Sequence, residues 1–105
     1  MDAGAAGRLQ FGKYSIDPNG CELRRGTEAV HLRPKTFDVL FHLAMRSGKL
    51  VTKDELIRSV WHGDAVCDDS LVQCIKELRT ALNDADRAII KTVPRRGYLF
   101  SAQIQ

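Results

Sequence analysis

Cysteine is scarce in this sequence and does not occur in pairs. There are three cysteines, Cys21, Cys67 and Cys74, and no C-x-x-C motif. An odd number of cysteines without this motif argues against a disulfide framework and favours a reducing compartment. His62 precedes two of them, but the spacing matches no common structural zinc pattern. We therefore expect no metal site, and we expect the thiols to be buried or bystander groups.

Long apolar runs and catalytic patterns are also missing. No run approaches the roughly 20 residues that span a membrane, and residues 1–8 lack the apolar segment of a signal peptide and are predicted to be flexible. We therefore expect a cytoplasmic chain, although a region beyond residue 105 could carry a membrane anchor. His31, His42 and His62 stand apart from any serine or cysteine in a nucleophile pattern. Since there is no glycine-rich phosphate loop either, we predict no enzyme and no cofactor.

The composition is that of one globular domain. The chain has 105 residues, of which 44% are hydrophobic, and this suffices for a modest core. We predict a single domain over residues 9–105. Its formal net charge of +3 permits an anionic partner such as nucleic acid without requiring one.

The first third of the chain predicts a small antiparallel sheet. Apolar residues alternate in three segments, which are separated by turn sequences around Pro18 and Gly26. The predicted strands cover residues 11–16, 21–24 and 29–32, and the first of them has a potential irregularity at Gly12. Such a meander needs helices to cover one of its faces.

Two helices are predicted next. The first begins at Pro34, since proline suits the first helical position, and it ends near Arg46 before a Ser-Gly pair. Residues 50–51 are expected to be an apolar link. The second helix follows Thr52, which forms a capping-box sequence with Glu55, and its Trp61 is expected in the core.

A third helix and a hairpin complete the predicted fold. The helix spans residues 70–83, begins with a capping box of Ser70 and Gln73, and buries one stripe formed by Leu71, Ile75, Leu78 and Leu82. Residues 88–93 and 98–100 predict two strands around a tight tip. The fold class is therefore α+β, a winged helix-turn-helix with an N-terminal antiparallel sheet, three helices and a C-terminal hairpin wing.

The polar side chains of the third helix and of the hairpin suggest nucleic-acid binding. The exposed helix face offers amides, hydroxyls and charges, which can bond to base edges, although such a face, taken alone, is more often simply a solvated surface. Arg95 and Arg96 at the hairpin tip suit phosphates or a narrow minor groove; arginines at turns can also be simply solvated. Lys35 opens the first helix, where it either meets a phosphate or is an exposed lysine.

The order of these motifs resembles the OmpR/PhoB-type winged-helix DNA-binding domain of bacterial transcription regulators, closest to the CadC-like branch with the domain at the N-terminus. The resemblance rests on Leu32…Phe37-x-x-Leu40-x-x-Leu43, Gly48-x-Leu50-Val51-Thr52-Lys53-Asp54-Glu55-Leu56…Val60-Trp61, Asp69…Val72…Ile75-x-x-Leu78-Arg79-x-x-Leu82 and Ile90-x-Thr92-Val93…Gly97-Tyr98-x-Phe100. It implies a four-stranded N-terminal sheet, one strand more than the residues themselves predict. It also implies binding to direct-repeat DNA sites, as a homodimer on DNA, and contact of loop 62–67 with RNA polymerase.

The resemblance also assigns roles to residues. Gln73 and Glu77 would face bases, while phosphates would be met by Lys76, Arg79 and Thr92, and the minor groove by Arg95 and Arg96. The chain departs from many members at Cys74 and Glu77, where a basic residue or a histidine is common. Glu77 would either accept from a cytosine amino group or repel phosphates. The predicted DNA-binding residues are Lys35, Ser70, Gln73, Cys74, Lys76, Glu77, Arg79, Thr80, Thr92, Arg95 and Arg96.

Two hypotheses follow. The first is sequence-specific binding of double-stranded DNA in transcription regulation, with the third helix in the major groove and the wing in the minor groove. The second is a winged-helix module for protein contact, through dimerisation or docking to RNA polymerase, which the modest net charge favours. Neither involves contact of this segment with a membrane.

Overall fold

The computed structural model describes residues 9–18, 20–62, 68–84, 88–102 and 104. The predicted flexible segment 1–8 and most of the predicted loop 62–67 lie outside these residues. The described elements follow the order of four strands, a helix, a strand, two helices and two strands. This order confirms the α+β winged helix-turn-helix class.

The N-terminal sheet has four antiparallel strands in sequential order. They are β1 (Leu9–Phe11), β2 (Tyr14–Asp17), β3 (Glu22–Arg25) and β4 (Glu28–Val30). The prediction of one strand over residues 11–16 is wrong because the chain turns back within it. Gly12 has a φ of +56°, and Phe11 pairs with Tyr14 across that turn. Glycine adopts this conformation without steric cost, so the fourth strand implied by the family resemblance is present.

Three helices follow the N-terminal sheet and pack against one another. They are α1 (Pro34–Met45), α2 (Lys53–Trp61) and α3 (Asp68–Ala81), and Pro34 is at the first position of α1 as predicted. Helix α3 begins two residues before the predicted start. Ser70 therefore lies inside the first turn, and the predicted capping box of Ser70 and Gln73 is wrong.

The start of α2 confirms only half of its predicted capping box. The Oγ1 atom of Thr52 accepts a hydrogen bond from the backbone N–H of Glu55 at 3.1 Å. The Glu55 carboxylate, however, lies 2.7 Å from Nε2 of His42 and 3.0 Å from Nε of Arg46. Side chains on and just beyond α1 thus take the place of the expected bond back to the cap.

The C-terminal hairpin gains a third strand from the middle of the chain. Strands β6 (Ile90–Val93) and β7 (Gly97–Phe100) form the predicted hairpin, and β5 (Leu50–Thr52) pairs with β7 on its other side. The expectation that residues 50–51 are only a link is therefore wrong. Three residues are too few to show strand alternation, and their partner lies far along the chain.

A continuous core joins the helices to both sheets. The predicted stripe of Leu71, Ile75, Leu78 and Leu82 is buried, and Trp61 is buried as expected. Phe11 of the first sheet meets Phe100 of the second edge-to-face, with ring centroids 5.0 Å apart. Across the described ranges, no helix has the length and apolarity of a membrane span, and no three potential metal ligands lie together.

Candidate nucleic-acid interface

Helix α3 turns a polar face outward. Its buried side consists of the leucine and isoleucine stripe, and the opposite side exposes Gln73, Lys76 and Thr80. The Thr80 hydroxyl donates to the backbone carbonyl of Lys76 at 3.1 Å, which still leaves its oxygen able to accept. Ser70 is half-buried at the N-terminal end of this face. An amide, an ammonium and two hydroxyl groups are thus arranged along one side of a helix.

The Glu77 carboxylate is bound by two other residues of the chain. Its Oε1 atom accepts from the Thr36 hydroxyl at 2.6 Å and from Nε of Arg33 at 3.1 Å, and its Oε2 atom lies 2.5 Å from Nη2 of Arg33. The Thr36 hydrogen bond and then the Arg33 guanidinium lower the pKa of Glu77 below its usual range. Glu77 was expected either to accept from cytosine or to repel phosphate. Both effects are weakened, because Arg33 and Thr36 already bind the carboxylate and Arg33 balances its charge.

Arg33 is a component of this surface that sequence reasoning missed. It lies just before α1, and 44 positions separate it from Glu77. No local pattern signals such a pairing, because neither helix periodicity nor a turn motif extends over that distance. Only the packing of α1 against α3 brings the two side chains together.

Cys74 requires a correction. Its side chain is 3% exposed and belongs to the core. Burial raises the pKa of the Cys74 thiol, which keeps it protonated and apolar. The prediction that Cys74 is a DNA-binding residue is not compatible with this burial, since a side chain facing the core cannot contact a duplex.

Lys35, the second residue of α1, lies beside the N-terminal end of α3. Its Nζ donates to the backbone carbonyl of Val60 at 2.9 Å, near the end of α2 where helix carbonyls carry partial negative charge. Lys35 also borders a groove of about 650 Å³ together with Trp61, Ser70 and Gln73. An ammonium has three donors, so this lysine keeps donors for a second acceptor beside the polar face of α3.

Arg79 and Thr92 connect α3 to the wing. The Nη2 atom of Arg79 donates to the Ile90 carbonyl and to Oγ1 of Thr92, both at 2.8 Å. The two residues predicted as separate phosphate contacts are thus one structural unit, in which Thr92 stays exposed. This unit fixes the position of β6 relative to α3.

The wing tip exposes both arginines. Arg95 has a φ of +66°, and Arg95 and Arg96 are exposed at the turn between β6 and β7. The backbone N–H of Lys53 donates to the Arg96 carbonyl at 3.3 Å, so the tip lies beside the N-terminus of α2. Three basic residues, from two separate parts of the chain, therefore lie at this end of the molecule.

Gly97 is required at the tip for close approach rather than for flexibility. A Cβ atom built on it would lie 2.0 Å from the carbonyl oxygen of Val51 and 2.8 Å from the Cα of Thr52. Strands β5 and β7 can therefore meet here only through a residue without a side chain.

The predicted residues thus form two neighbouring groups. The first is the polar face of α3 with the adjoining start of α1, and the second is the wing with its link to α3. The first group contains Lys35, Ser70, Gln73, Lys76, Glu77 and Thr80, and the second Arg79, Thr92, Arg95 and Arg96. The predicted polymerase-contacting loop 62–67 is described only at His62, which has a φ of +53° after α2.

Comparison with known proteins places these features in one family. Residues 26–100 match the family model described as "Transcriptional regulatory protein, C terminal". The chain is 34% identical over 93 residues to the transcriptional activator CadC of Escherichia coli, an alignment that covers 86% of this chain and 18% of CadC. It is 38% identical over 93 residues to the cholera toxin homolog transcriptional activator of Vibrio parahaemolyticus, covering 82% of this chain and 32% of that protein. The chain thus spans about a third or less of the length of these two relatives.

Solved structures agree in fold. The DNA-binding domain of E. coli CadC superimposes with a TM-score of 0.82 at 32% identity, covering 93% of this chain and 94% of that one. The DNA-binding domain of Klebsiella pneumoniae RstA, solved in complex with the RstA box, superimposes with a TM-score of 0.79 at 34% identity, covering 90% and 96%.

Proposed function

The chain belongs to the family of OmpR/PhoB-type winged-helix domains of transcriptional regulators, and from that membership we propose that it binds double-stranded DNA with sequence specificity. The family consists of transcription-factor DNA-binding domains and not of enzymes. In this proposal α3 enters the major groove and the wing arginines enter the minor groove. The domain regulates bacterial transcription from the cytoplasm, where the DNA lies.

One observation carries the proposal: hydrogen bonds join the helix with the exposed polar face, α3, to the basic wing. Arg79 links α3 directly to the strand that leads into the wing tip. A helix in the major groove and a hairpin beside it must keep a fixed relation to contact one duplex together. Gln73 has an amide that pairs with adenine in the major groove, and Lys76 adds a charge for phosphates.

The wing is proposed to supply binding that depends little on sequence. Arg95 and Arg96 are exposed and lie next to Lys53. Narrow minor grooves concentrate negative potential and attract arginine. Each phosphate neutralised by such a residue releases counterions, so affinity falls as salt rises.

The family resemblance extends the proposal to assembly. We propose that two copies bind adjacent direct-repeat sites as a homodimer on DNA, and that loop 62–67 contacts RNA polymerase. Band shifts on duplexes that contain one or two copies of the selected site would reveal the first. The second would be tested with a variant in which the native cysteines are replaced and a single cysteine is introduced into the loop, by crosslinking that cysteine to RNA polymerase.

The experiment that tests DNA binding is fluorescence anisotropy on a random-sequence duplex at several salt concentrations. Weak binding that decreases steeply with salt is expected. Replacing Arg95 and Arg96 with alanine should weaken binding to every sequence and reduce the salt slope by about one or two units. The matched control is Lys13→Ala with Arg24→Ala, which removes the same charge from the N-terminal sheet and should alter the slope little.

A base-directed variant completes this test. Gln73→Ala should cost roughly 1–3 kcal/mol of discrimination at one base pair and leave binding to random DNA nearly unchanged. An equal loss on every sequence would show that Gln73 does not contact a base. Absence of wild-type binding even at about 50 mM salt, where electrostatic contacts are strong, would favour the protein-contact module instead.

A further inference from the structure

We propose that Arg33 is a specificity-determining residue of the DNA interface and that Glu77 is the positioning residue that holds it there. The inference rests on the proposed function, because it assigns a base contact within the same surface. It concerns a side chain from the segment before α1, outside the helix that is proposed to enter the major groove.

The ion pair fixes the orientation of the guanidinium. Nε of Arg33 lies 3.1 Å from Oε1 of Glu77, and Nη2 lies 2.5 Å from Oε2. Two roughly parallel contacts between a planar guanidinium and a carboxylate hold both groups in a common plane. The Thr36 hydroxyl, 2.6 Å from Oε1, in turn holds the carboxylate. The arginine is therefore positioned from α3 and from α1 at once.

The opposite edge of the guanidinium remains available. A guanidinium has five N–H groups, and Glu77 takes the Nε edge, which leaves the end formed by Nη1 and Nη2. The Arg33 side chain is 61% exposed. That remaining end can donate two bonds side by side, which is how arginine pairs with O6 and N7 of guanine.

Arg33 also has the right neighbours. It borders the groove of about 650 Å³ shared with Lys35 and Ser70, and a second groove of about 500 Å³ shared with Lys76 and Thr80. Gln73 borders both grooves as well. Arg33 therefore lies beside the central residue of the exposed α3 face, on the surface proposed to meet the duplex.

The charges explain why the contact would provide specificity rather than general affinity. An unpaired Glu77 on a helix that faces DNA would repel phosphates, and Arg33 compensates that charge. The pair as a whole is nearly neutral, so it adds little to the salt-dependent attraction. Its contribution to structure alone is small as well, because solvent screens an ion pair that is exposed to this extent. The N–H groups of Arg33 that Glu77 does not occupy remain available for directional hydrogen bonds to a base.

The test measures discrimination at each base pair separately. A preferred site is first selected from a randomised duplex pool with the wild-type chain, and every single base-pair variant of that site then competes for binding. Arg33→Ala should lower discrimination at one base pair by about 5- to 100-fold, and because it leaves Glu77 unpaired it should also weaken binding to random DNA. The double variant Arg33→Ala with Glu77→Gln removes both charges, so it should show the same loss of discrimination but change affinity for random DNA by less than about twofold. Arg33→Lys keeps the charge but not the planar fork, and it should fail to restore that discrimination.

Glu77→Gln examines the positioning role. It should lose discrimination at the same base pair as Arg33→Ala, and the double variant should lose no more than Arg33→Ala alone, since the two side chains act as one unit. Arg24→Ala is the control, because Arg24 pairs with Glu22 on the N-terminal sheet and should leave every base preference unchanged. The fluorescence of Trp61 checks that each variant is folded.

Unchanged discrimination in Arg33→Ala, full discrimination in Arg33→Lys, or independent losses in the double variant would each overturn the inference. If the wild-type chain selects a site and Arg33→Ala reads it equally well, the proposed function stands and this inference alone fails. If the wild-type chain binds no duplex, the proposed function fails together with it.

Discussion

Asp84 offers a prediction whose size can be worked out from the structure. Its side chain is 4% exposed, and it follows α3 at the point where the chain turns toward the wing. Oδ1 accepts from the backbone N–H groups of Ala88 and Ile89 at 2.8 and 3.0 Å, and Oδ2 accepts from that of Ile90 at 2.9 Å. One carboxylate thus satisfies three donors at the start of β6.

Asp84→Ala would remove all three acceptors. Ile90 is fully buried, so its N–H cannot turn to water, and such an unsatisfied donor costs about 1–3 kcal/mol. Ala88 is exposed and Ile89 is half-buried, so water replaces part of what they lose. We expect a total loss of about 3–5 kcal/mol, a large share of the roughly 5–15 kcal/mol that stabilise a domain.

Urea unfolding provides the measurement. Trp61 is the only tryptophan and lies 9% exposed at the end of α2, so its fluorescence reports the native core. At an m-value of about 1.5 kcal/mol/M, the expected loss lowers the urea midpoint by roughly 2–3 M. Asp84→Asn should cost less, about 1–3 kcal/mol, because the amide keeps one acceptor but turns a donor toward the other N–H groups.

The control is Asp38→Ala, which removes an exposed aspartate from α1 and should alter stability by no more than about 0.5 kcal/mol. If Asp84→Ala unfolds at the wild-type midpoint with an unchanged m-value, the three hydrogen bonds do not stabilise the fold and the reasoning is refuted.

Two further predictions concern the hairpin and the contact between α1 and α2. Gly97→Ala should destabilise the chain by about 1–3 kcal/mol or more, because its Cβ would meet the Val51 carbonyl oxygen. Gly20→Ala is the control and should be close to neutral in the same urea titration, since the nearest contact of its Cβ would be an ordinary 3.4 Å. Equal urea midpoints for the two variants would contradict this prediction. The hydrogen bond from His42, and next the charge of Arg46, lower the pKa of Glu55. A lowered folded-state pKa stabilises above the unfolded value of 4.5 and is lost as pH falls through the folded value. Glu55→Gln should therefore cost up to about 1 kcal/mol at pH 7, and the difference from wild type should shrink as the pH falls below 4.5; a difference independent of pH would argue against the ion pair.

Local sequence patterns predicted the helices well. The stripe of Leu71, Ile75, Leu78 and Leu82 is buried as its spacing indicates, and Pro34 begins α1. Both signals act within one or two helical turns, so no distant residue is needed to interpret them. The start of α3 was predicted two residues too late, because Asp68 and Asp69 are as compatible with the first turn of a helix as with the residues before it.

The exposure of most candidate residues was predictable from the sequence, whereas their contacts were not. Gln73, Lys76, Arg95 and Arg96 are exposed as a nucleic-acid surface requires. Cys74 was included because of its position in the family, although its closeness to the apolar stripe already favoured burial. A role carried over by position does not account for which way a particular side chain packs.

What the sequence by itself determined is the three helices, the C-terminal hairpin, their order and the family, since periodicity, capping and turn chemistry act between near neighbours. Only the tertiary structure decided the contacts between distant segments. It placed residues 50–52 as a strand against β7, linked Arg79 to Thr92, and paired Arg33 with Glu77. The physical reason is that each of these contacts forms only after helices and sheets have packed around the common core. That packing decides which polar groups face one another, and no short stretch of the sequence contains this information.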